Sequence, residues 1–374
     1  MQIVVNTRYL LKNRLDGIGW FGYQTLKRIT EQQKDIHFVF LFDRHFDEDF
    51  VFADNITPMS LGPQARHPFL YYAWFQYSVK SVLNKLKPDL FLSPDGMLAL
   101  GAKCKQLPVI HDINFKHLPK DLPFWTSKYY NRFFPLFAKE AARIATVSEY
   151  SKKDLVDSYA VDPDKIDVVY NGINETFFPV DDEVKQKVKA KLTDGKEFFV
   201  FVGSLHTRKN IKRLLQAFEL FKTESNSDFK LVLAGASFWG MDELKQVLTG
   251  MKHTDDVIFT GRLSASGLNE VLGSAFALTF IPYFEGFGIP LLEAMQCDVP
   301  IISANVTSMP EVAGDAALYV NPYEVNEVKN AMLYLYNDRP KRIELIDAGK
   351  VQRNKFSWDR SADLLWKSIE KIVS

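Results

Sequence analysis

The chain has 374 residues, 46 Lys and Arg against 46 Asp and Glu, 47% hydrophobic residues and two cysteines. That is a globular composition with length for two domains of roughly 170–190 residues, not a disordered chain. Zero net charge argues against a nucleic-acid binder, and Cys104 and Cys297 make neither a disulfide framework nor a metal-spaced cluster, which points to a reducing cytoplasm.

The start, MQIVVNTRYLL, has no basic region and no sustained apolar core, so no signal peptide is expected. No run of about 18 apolar residues follows anywhere, so no membrane span is expected. Strands are predicted at 3–5, 37–42, 90–93, 107–112, 142–148 and 167–172, with amphipathic stretches between them at 20–33, 72–86 and 127–140. A second series has strands at 198–203, 229–235, 257–261, 277–282, 300–304 and 317–320. Its helices are predicted at 210–223, 241–251, 264–275, 290–297 and 325–337. Continuous Val, Ile and Phe runs read as strands buried on both faces of a parallel sheet. Two such β-α series mean an α/β protein of two doubly wound, Rossmann-like domains, with ligands held at the carboxyl ends of the strands in the crevice where the domains face. The domains are expected at 1–176 and 177–355. A last amphipathic helix at 356–374, with Leu364, Leu365 and Ile369 on one side, is expected to cross back to the first domain.

Residues 17–22, GIGWFG, spell the dinucleotide fingerprint G-x-G-x-x-G. That fingerprint needs its first glycine within a residue or two of a strand end. Here the first strand ends near Val5 and Gly17 follows about a dozen residues later, which removes the context. Two readings stay open for Gly17 and Gly19: a plain loop ahead of a helix, or bare backbone approaching a phosphate or sugar. Gly22, inside the helix, is read as a packing glycine.

The chemistry concentrates in FEGFGIPLLEAMQCDVPIISANVTSMPEVAGDAALYVNP, residues 284–322. Glu285 closes a predicted buried strand, Gly286, Phe287 and Gly288 form a turn, Pro290 opens a helix and Glu293 lies one turn in. A glycine turn feeding a helix start presents free N–H groups and the positive end of a dipole, which suits an anion. Carboxylates beside it make sense if each accepts hydrogen bonds from sugar hydroxyls. A ligand with phosphates in the middle and a sugar at each end, a nucleotide sugar, fits that layout.

This stretch resembles the E-x7-E signature of the GT-B glycosyltransferases of family 4, and other segments agree in order and spacing. FVGSLHTRKNIKRLLQAF (201–218) is similar to the family's strand, loop and helix with a basic pair, and VIFTGRLSASGLNEVLGSA (257–275) to its base-binding segment. RIATVSEYSKKDL (143–155), IDVVYNGIN (166–174), VIHDINF (109–115) and the glycines 17–19 resemble the first domain's landmarks. The resemblance implies that Glu293 binds the ribose hydroxyls and Glu285 the transferred sugar. Backbone amides of Phe287, Gly288 and Ile289 would hold sugar and distal phosphate, and Arg208 and Lys209 would neutralise the diphosphate. Gly203, Ser204, Gly261, Arg262 and Leu263 complete the substrate-binding set, with Gly17 and Gly19. His111 would serve the transferred sugar and acceptor. It further implies retention of anomeric configuration and no obligatory metal or other cofactor, and no D-x-D stands at a strand end here. Two positions depart from the pattern: Gly203-Ser204 where many members have Gly-Arg, and Asp298 where a glycine is frequent. Read apart from the resemblance, Asn210 is a candidate N-cap and His206 a bystander.

The first domain carries aromatic and basic stretches at 66–87 and 120–143, and residues 61–150 hold twelve Lys and Arg against six acids. Either the aromatics fill the core, or this face docks on an anionic membrane surface to reach a lipid-linked acceptor. The reading is a retaining hexosyltransferase, mannosyltransferase-like with GDP-mannose as donor, acting on a glycan or lipid-linked glycan in cell-surface polysaccharide synthesis. A sugar-nucleotide 2-epimerase and a non-catalytic nucleotide-sugar binder are the alternatives.

Overall fold

The computed structural model describes residues 1–12, 15–236 and 241–374. They divide into two compact units, Met1–Gly172 with Phe356–Ser374, and Ile173–Lys355. The first unit is built on β1 (Gln2–Asn6), β2 (His37–Phe42), β3 (Ile56–Ser60), β4 (Leu90–Ser93) and β5 (Lys105–Pro108), all parallel in the order β3-β2-β1-β4-β5. A parallel pair, β6 (Ile144–Thr146) and β7 (Ile166–Val168), continues from β5 through a single bridge between Val109 and Ala145. Because β2 and β4 lie on opposite sides of β1, the strand order reverses between β1 and β4.

The second unit holds β8 (Phe198–Val202), β9 (Lys230–Ala234), β10 (Val257–Gly261), β11 (Ala277–Phe280), β12 (Ile301–Ala304) and β13 (Ala317–Val320). All six are parallel, in the order β10-β9-β8-β11-β12-β13. Every residue of β8 and β11 is buried, as the unbroken Phe and Val runs foretell for strands covered on both faces.

Several boundaries differ from the sequence expectation. The strand predicted over 107–112 ends at Pro108, so His111 and Asp112 stand on the loop beyond it. The helix predicted over 20–33 runs Gly17–Gln32, with Asp16 capping its start through the Gly19 amide. Gly17 and Gly19 therefore sit in the first helical turn, not in a loop ahead of it. The helix predicted over 72–86 starts at Pro68, whose fixed φ suits a first turn, and winds wider through Trp74–Val79 before ending at Leu86. Strand Ile56–Ser60 and the helices Glu149–Tyr159, Asp182–Thr193 and Arg339–Gln352 have no counterpart among the expected elements. Strand Ile56–Ser60 is an edge strand with Pro58 at its centre, which blunts its period-2 pattern.

The last helix, Trp358–Val373, belongs to the first unit. It buries Trp358, Leu365, Ile369 and Ile372, and Leu364 is only half-buried. Asp359 pairs with Arg28 at 2.6 Å, Lys371 with Asp167 at 2.6 Å, and the Ser361 hydroxyl donates to the Tyr170 carbonyl. Two glycines make room in this unit. A Cβ on Gly22 would lie 2.3 Å from the Tyr9 ring, so that glycine does serve packing, and one on Gly172 would lie 2.3 Å from the Trp358 amide nitrogen. Gly172→Ala is accordingly expected to cost about 3 kcal/mol. Faster hydrogen exchange in Trp358–Val373 together with a lower denaturation midpoint would show it, and an unchanged midpoint would refute it.

Candidate functional site

The second unit concentrates its polar chemistry where β8, β10 and β11 end. Beyond β8, Gly203 takes φ +138° and its amide donates to the Ala234 carbonyl. The neighbouring Gly235 donates to the Gly261 carbonyl at 3.0 Å. A Cβ on Gly235 would stand 1.8 Å from the Gly203 oxygen, so a glycine is required for the β8 and β9 ends to lie this close. This stitching sets Gly203 and Ser204 near Gly261, Arg262 and Leu263, with Gly261 in left-handed backbone at φ +68°.

The chain after β8 makes a tight turn at Thr207–Lys209 that is fastened to the segment after β11. The Tyr283 amide donates to the Arg208 carbonyl at 2.8 Å, and an Arg208 guanidinium nitrogen donates to the Phe284 carbonyl at 3.2 Å. Asn210 does not cap the helix that follows. It adopts left-handed backbone at φ +63°, and its side-chain amide donates to the carbonyls of Ile281 (3.1 Å) and Pro322 (2.7 Å). A buried amide that holds two loops together outweighs a cap open to water.

These ties bring Arg208, Lys209 and Glu285 into one buried cluster. The Glu285 carboxylate pairs with both cations, and Glu285 and Lys209 are 8% and 7% exposed. Burial would raise the Glu285 carboxyl, but Arg208 and Lys209 outweigh it and hold it below its ordinary value, so it is ionised at neutral pH. The Lys209 ammonium also lies 5.0 Å from the centre of the Phe280 ring.

From Glu285 the chain passes through Gly288, at φ +97°, into the helix Ile289–Gln296, with Pro290 in its first turn. A Cβ at Gly288 would meet the Met309 methyl at 2.6 Å. The buried Ser308 hydroxyl lies 3.0 Å from the carbonyl oxygens of both Glu285 and Phe287 and fixes the turn from beneath. Pro290 brings no amide hydrogen to the first turn of this helix, and the Leu291 amide donates to the Gly288 carbonyl at 3.0 Å.

Glu293 differs from Glu285. It is half-buried, and its carboxylate has no hydrogen-bond or ion-pair partner among the described residues. Burial pushes its carboxyl up to about 7, against the weaker pull of Lys209. Of the two signature carboxylates, one is held charged and the other is poised to ionise near neutrality.

His111, Gly17 and Gly19 lie in the first unit and form a second group. The His111 ring nitrogen Nε2 is 2.9 Å from the Pro94 carbonyl, and the ring meets Phe21, on the Gly17–Gln32 helix, edge-on at 5.1 Å. Burial lowers the imidazole below its ordinary value, which favours the neutral form. Gly19 is buried and its amide is already given to Asp16, which leaves Gly17 as the exposed glycine of the turn.

The same unit holds a polar cluster that the sequence reading did not pick out. Arg8 pairs with Asp95 at 2.6 Å, and Asn6 donates to Asp95 at 2.7 Å and to the Ser93 hydroxyl at 3.1 Å. A signal was present. The β1–β4 register pairs Ile3 with Leu90, and the same offset carries Asn6 to Ser93 and Arg8 to Asp95.

Known proteins share this construction. Residues 182–352 match the family Glycosyl transferases group 1, and residues 15–177 match Glycosyltransferase Family 4. The chain is 28% identical over 370 residues to O-antigen chain mannosyltransferase B of Escherichia coli, covering 96% of this chain and 97% of that one. It is 26% identical over 242 residues to serotype-specific mannosyltransferase WbdA of Escherichia coli, covering 63% of this chain and 29% of that longer protein. Among solved structures, Anabaena Alr3699/HepE in complex with UDP and glucose superposes with a TM-score of 0.75 at 14% identity, over 99% of this chain and 100% of that one. WaaG, a glycosyltransferase involved in lipopolysaccharide biosynthesis, superposes with a TM-score of 0.73 at 15% identity, over 97% of this chain and 99% of that one. These likenesses establish the GT-B architecture.

The Glu293 environment has a measurable consequence. A carboxyl raised from its ordinary value to about 7 holds its proton longer folded than unfolded. Its contribution is full below the unfolded value and is lost as pH rises through about 7. Glu293→Gln, which cannot ionise, should therefore gain melting temperature relative to the parent between pH 5 and pH 8, by about 3 °C. A difference that stays constant across that range would refute the assignment.

Proposed function

We propose, from the premise that the chain belongs to the family 4 glycosyltransferases of GT-B fold, that it is a retaining transferase. It moves a hexose, mannose from GDP-mannose, to a glycan or lipid-linked glycan acceptor in cell-surface polysaccharide synthesis. The observation that carries the reading is the buried cluster in which Arg208 and Lys209 converge on Glu285 at a glycine turn and helix start. In such a transfer the bond from the anomeric carbon to the diphosphate breaks, the diphosphate departs with the electron pair, and an acceptor hydroxyl oxygen takes its place as its proton is lost. The added negative charge falls on the diphosphate, where a planar guanidinium fork and a point-like ammonium stabilise it.

Glu293, ionised, suits a vicinal ribose diol, because one carboxylate accepts two hydrogen bonds. Glu285 serves the hydroxyls of the transferred sugar, and Gly203, Ser204, Gly261, Arg262 and Leu263 the rest of the donor. His111 serves the transferred sugar and the acceptor, and Gly17 and Gly19 are assigned to the approach of bare backbone to the diphosphate and sugar. Charge neutralisation rests on Arg208 and Lys209, without an obligatory metal. The named activities of the O-antigen and serotype-specific mannosyltransferases support mannose as the sugar, and their acceptor class supports a glycan.

A membrane surface completes the reading, with the protein in the cytoplasm and peripheral on the bilayer. No helix among the described residues is long and apolar enough to cross a membrane. The two aromatic stretches of the first unit divide: Trp74, Phe75, Phe134 and Phe137 enter the core, while Phe69, Phe124 and Trp125 stay 65%, 62% and 53% exposed. Those three rings adjoin, Phe69 to Trp125 at 5.8 Å and Phe124 to Trp125 at 5.3 Å, and the Lys128 ammonium sits 4.5 Å over Phe124. Exposed aromatics interleaved with a cation suit an anionic lipid interface.

Three measurements test these assignments. GDP-mannose should raise the melting temperature above UDP-, ADP-, dTDP- and CMP-sugars, and Lys209→Ala should lower donor turnover by about 10²-fold; a loss under about threefold would end the leaving-group role. At low salt the protein should sediment with vesicles rich in anionic lipid, and Trp125→Ala should reduce the bound fraction; no binding at low salt would overturn the membrane reading.

A further inference from the structure

Parallel α/β sheets hold ligands beyond the carboxyl ends of their strands where the strand order reverses. In the first unit that place lies between β1 and β4, and the Asn6, Arg8, Ser93 and Asp95 cluster stands on it. A buried ion pair adds little net stability by itself, and apolar residues of similar volume commonly do as well. Two of its features go beyond what holding the strands together requires.

The first is an uneven use of donors and acceptors. Asp95 is saturated: one oxygen takes Arg8, and the other takes Asn6 at 2.7 Å, the Ser93 hydroxyl at 3.1 Å and the Met97 amide at 3.3 Å. Arg8 is not. Its Nε faces Asp95 and its Nη1 the Ala65 carbonyl at 3.2 Å, but Nη2 has only the thioether sulfur of Met97 at 3.8 Å, a weak acceptor. The second is Tyr129, 6% exposed, whose hydroxyl is buried and has no hydrogen-bond partner among the described residues. Tyr129 packs against Tyr71 at 5.8 Å, and Tyr71 lies 4.9 Å under the Arg8 guanidinium, so one tyrosine ring adjoins both residues. An unpartnered buried hydroxyl is costly unless something arrives to meet it.

We propose that Arg8 and Tyr129, with Tyr71 as an aromatic wall, seat a neutral sugar residue of the acceptor at the β1–β4 reversal. The groups left over need oxygen atoms. The Arg8 charge is already cancelled by Asp95, so an anionic ligand gains no net charge here. Sugar hydroxyls and ring oxygens supply acceptors without charge, and the C–H face of a sugar suits a tyrosine ring. The assignment rests on the glycosyltransferase reading for calling that sugar the acceptor. It adds which residues recognise it and that its recognised unit is uncharged.

Saturation-transfer NMR on the full chain, titrated with methyl α-mannoside, methyl α-glucoside and methyl α-glucuronide, tests it. The neutral glycosides should bind and the glucuronide should bind more weakly. Tyr129→Phe removes only an unpartnered hydroxyl, so its melting temperature should hold while affinity for the neutral glycosides falls about threefold or more. Arg8→Lys keeps the charge but loses the fork and should weaken them about tenfold. Affinity unchanged in a folded Tyr129→Phe protein overturns the proposal, as does tighter binding of the glucuronide. Parent protein that is stabilised by a nucleotide sugar yet binds none of the glycosides overturns the sugar seat and leaves the donor reading standing. Glycoside binding without any nucleotide response supports the seat and counts against the donor reading.

Discussion

The pairing of Glu285 with Arg208 and Lys209 is the interaction on which the candidate donor site depends. Two adjacent cations, Lys209 buried and Arg208 partly so, repel each other and lose hydration, and the carboxylate between them offsets both costs. The attraction alone would not position them, because three buried charges gain little unless their geometry is fixed. Here the backbone fixes it: the Tyr283 amide on the Arg208 carbonyl, the Asn210 amide on Ile281 and Pro322, and the Ser308 hydroxyl under Glu285 and Phe287. Each tie joins segments that leave different strands, so the six-stranded sheet is what brings these charges together. Two cations against one carboxylate leave the cluster with a surplus positive charge, which is what the proposed diphosphate role needs.

The carboxylates of the signature, Glu285 and Glu293, stand close in sequence and yet have unlike electrostatics. Glu285 lies against two cations and stays charged, whereas burial dominates at Glu293 and leaves it near its midpoint at neutral pH. Neighbours decide the difference, since the residue type is the same. On the first unit His111 follows a third pattern, a half-buried ring held by a backbone carbonyl and shifted toward the neutral form.

Much of this was legible in the residues. Continuous apolar runs located twelve of the strands, and β2, β4, β10 and β13 match their predicted bounds, although none of the β10 residues is fully buried. The strand that escaped, Ile56–Ser60, is an edge strand with a proline. The helices that escaped, such as Asp182–Thr193, are charged surface helices whose apolar stripe is too thin to read. The glycine turn, the proline opening the helix and the resemblance to E-x7-E marked Glu285 and Glu293. What spacing could not mark was pairing between distant segments. Asn210 looked like a cap because caps are local, while its actual partners are 71 and 112 residues away. Arg8 and Asp95 lie 87 residues apart and share a site only once the β1–β4 register is known.

The helix Trp358–Val373 gives the chain an order of assembly. It completes the first unit, yet it leaves the ribosome only after all of Ile173–Lys355 has been made. Until then Gly172 and the helix Gly17–Gln32 lack the tryptophan that closes over them. Domains made in sequence commonly fold first to last. Here the second unit, one uninterrupted stretch, can finish before the first, and the first to begin is the last to close. A nascent chain halted short of Trp358 would carry a finished second unit and a first unit with an open apolar seam, a species that calls for chaperone cover.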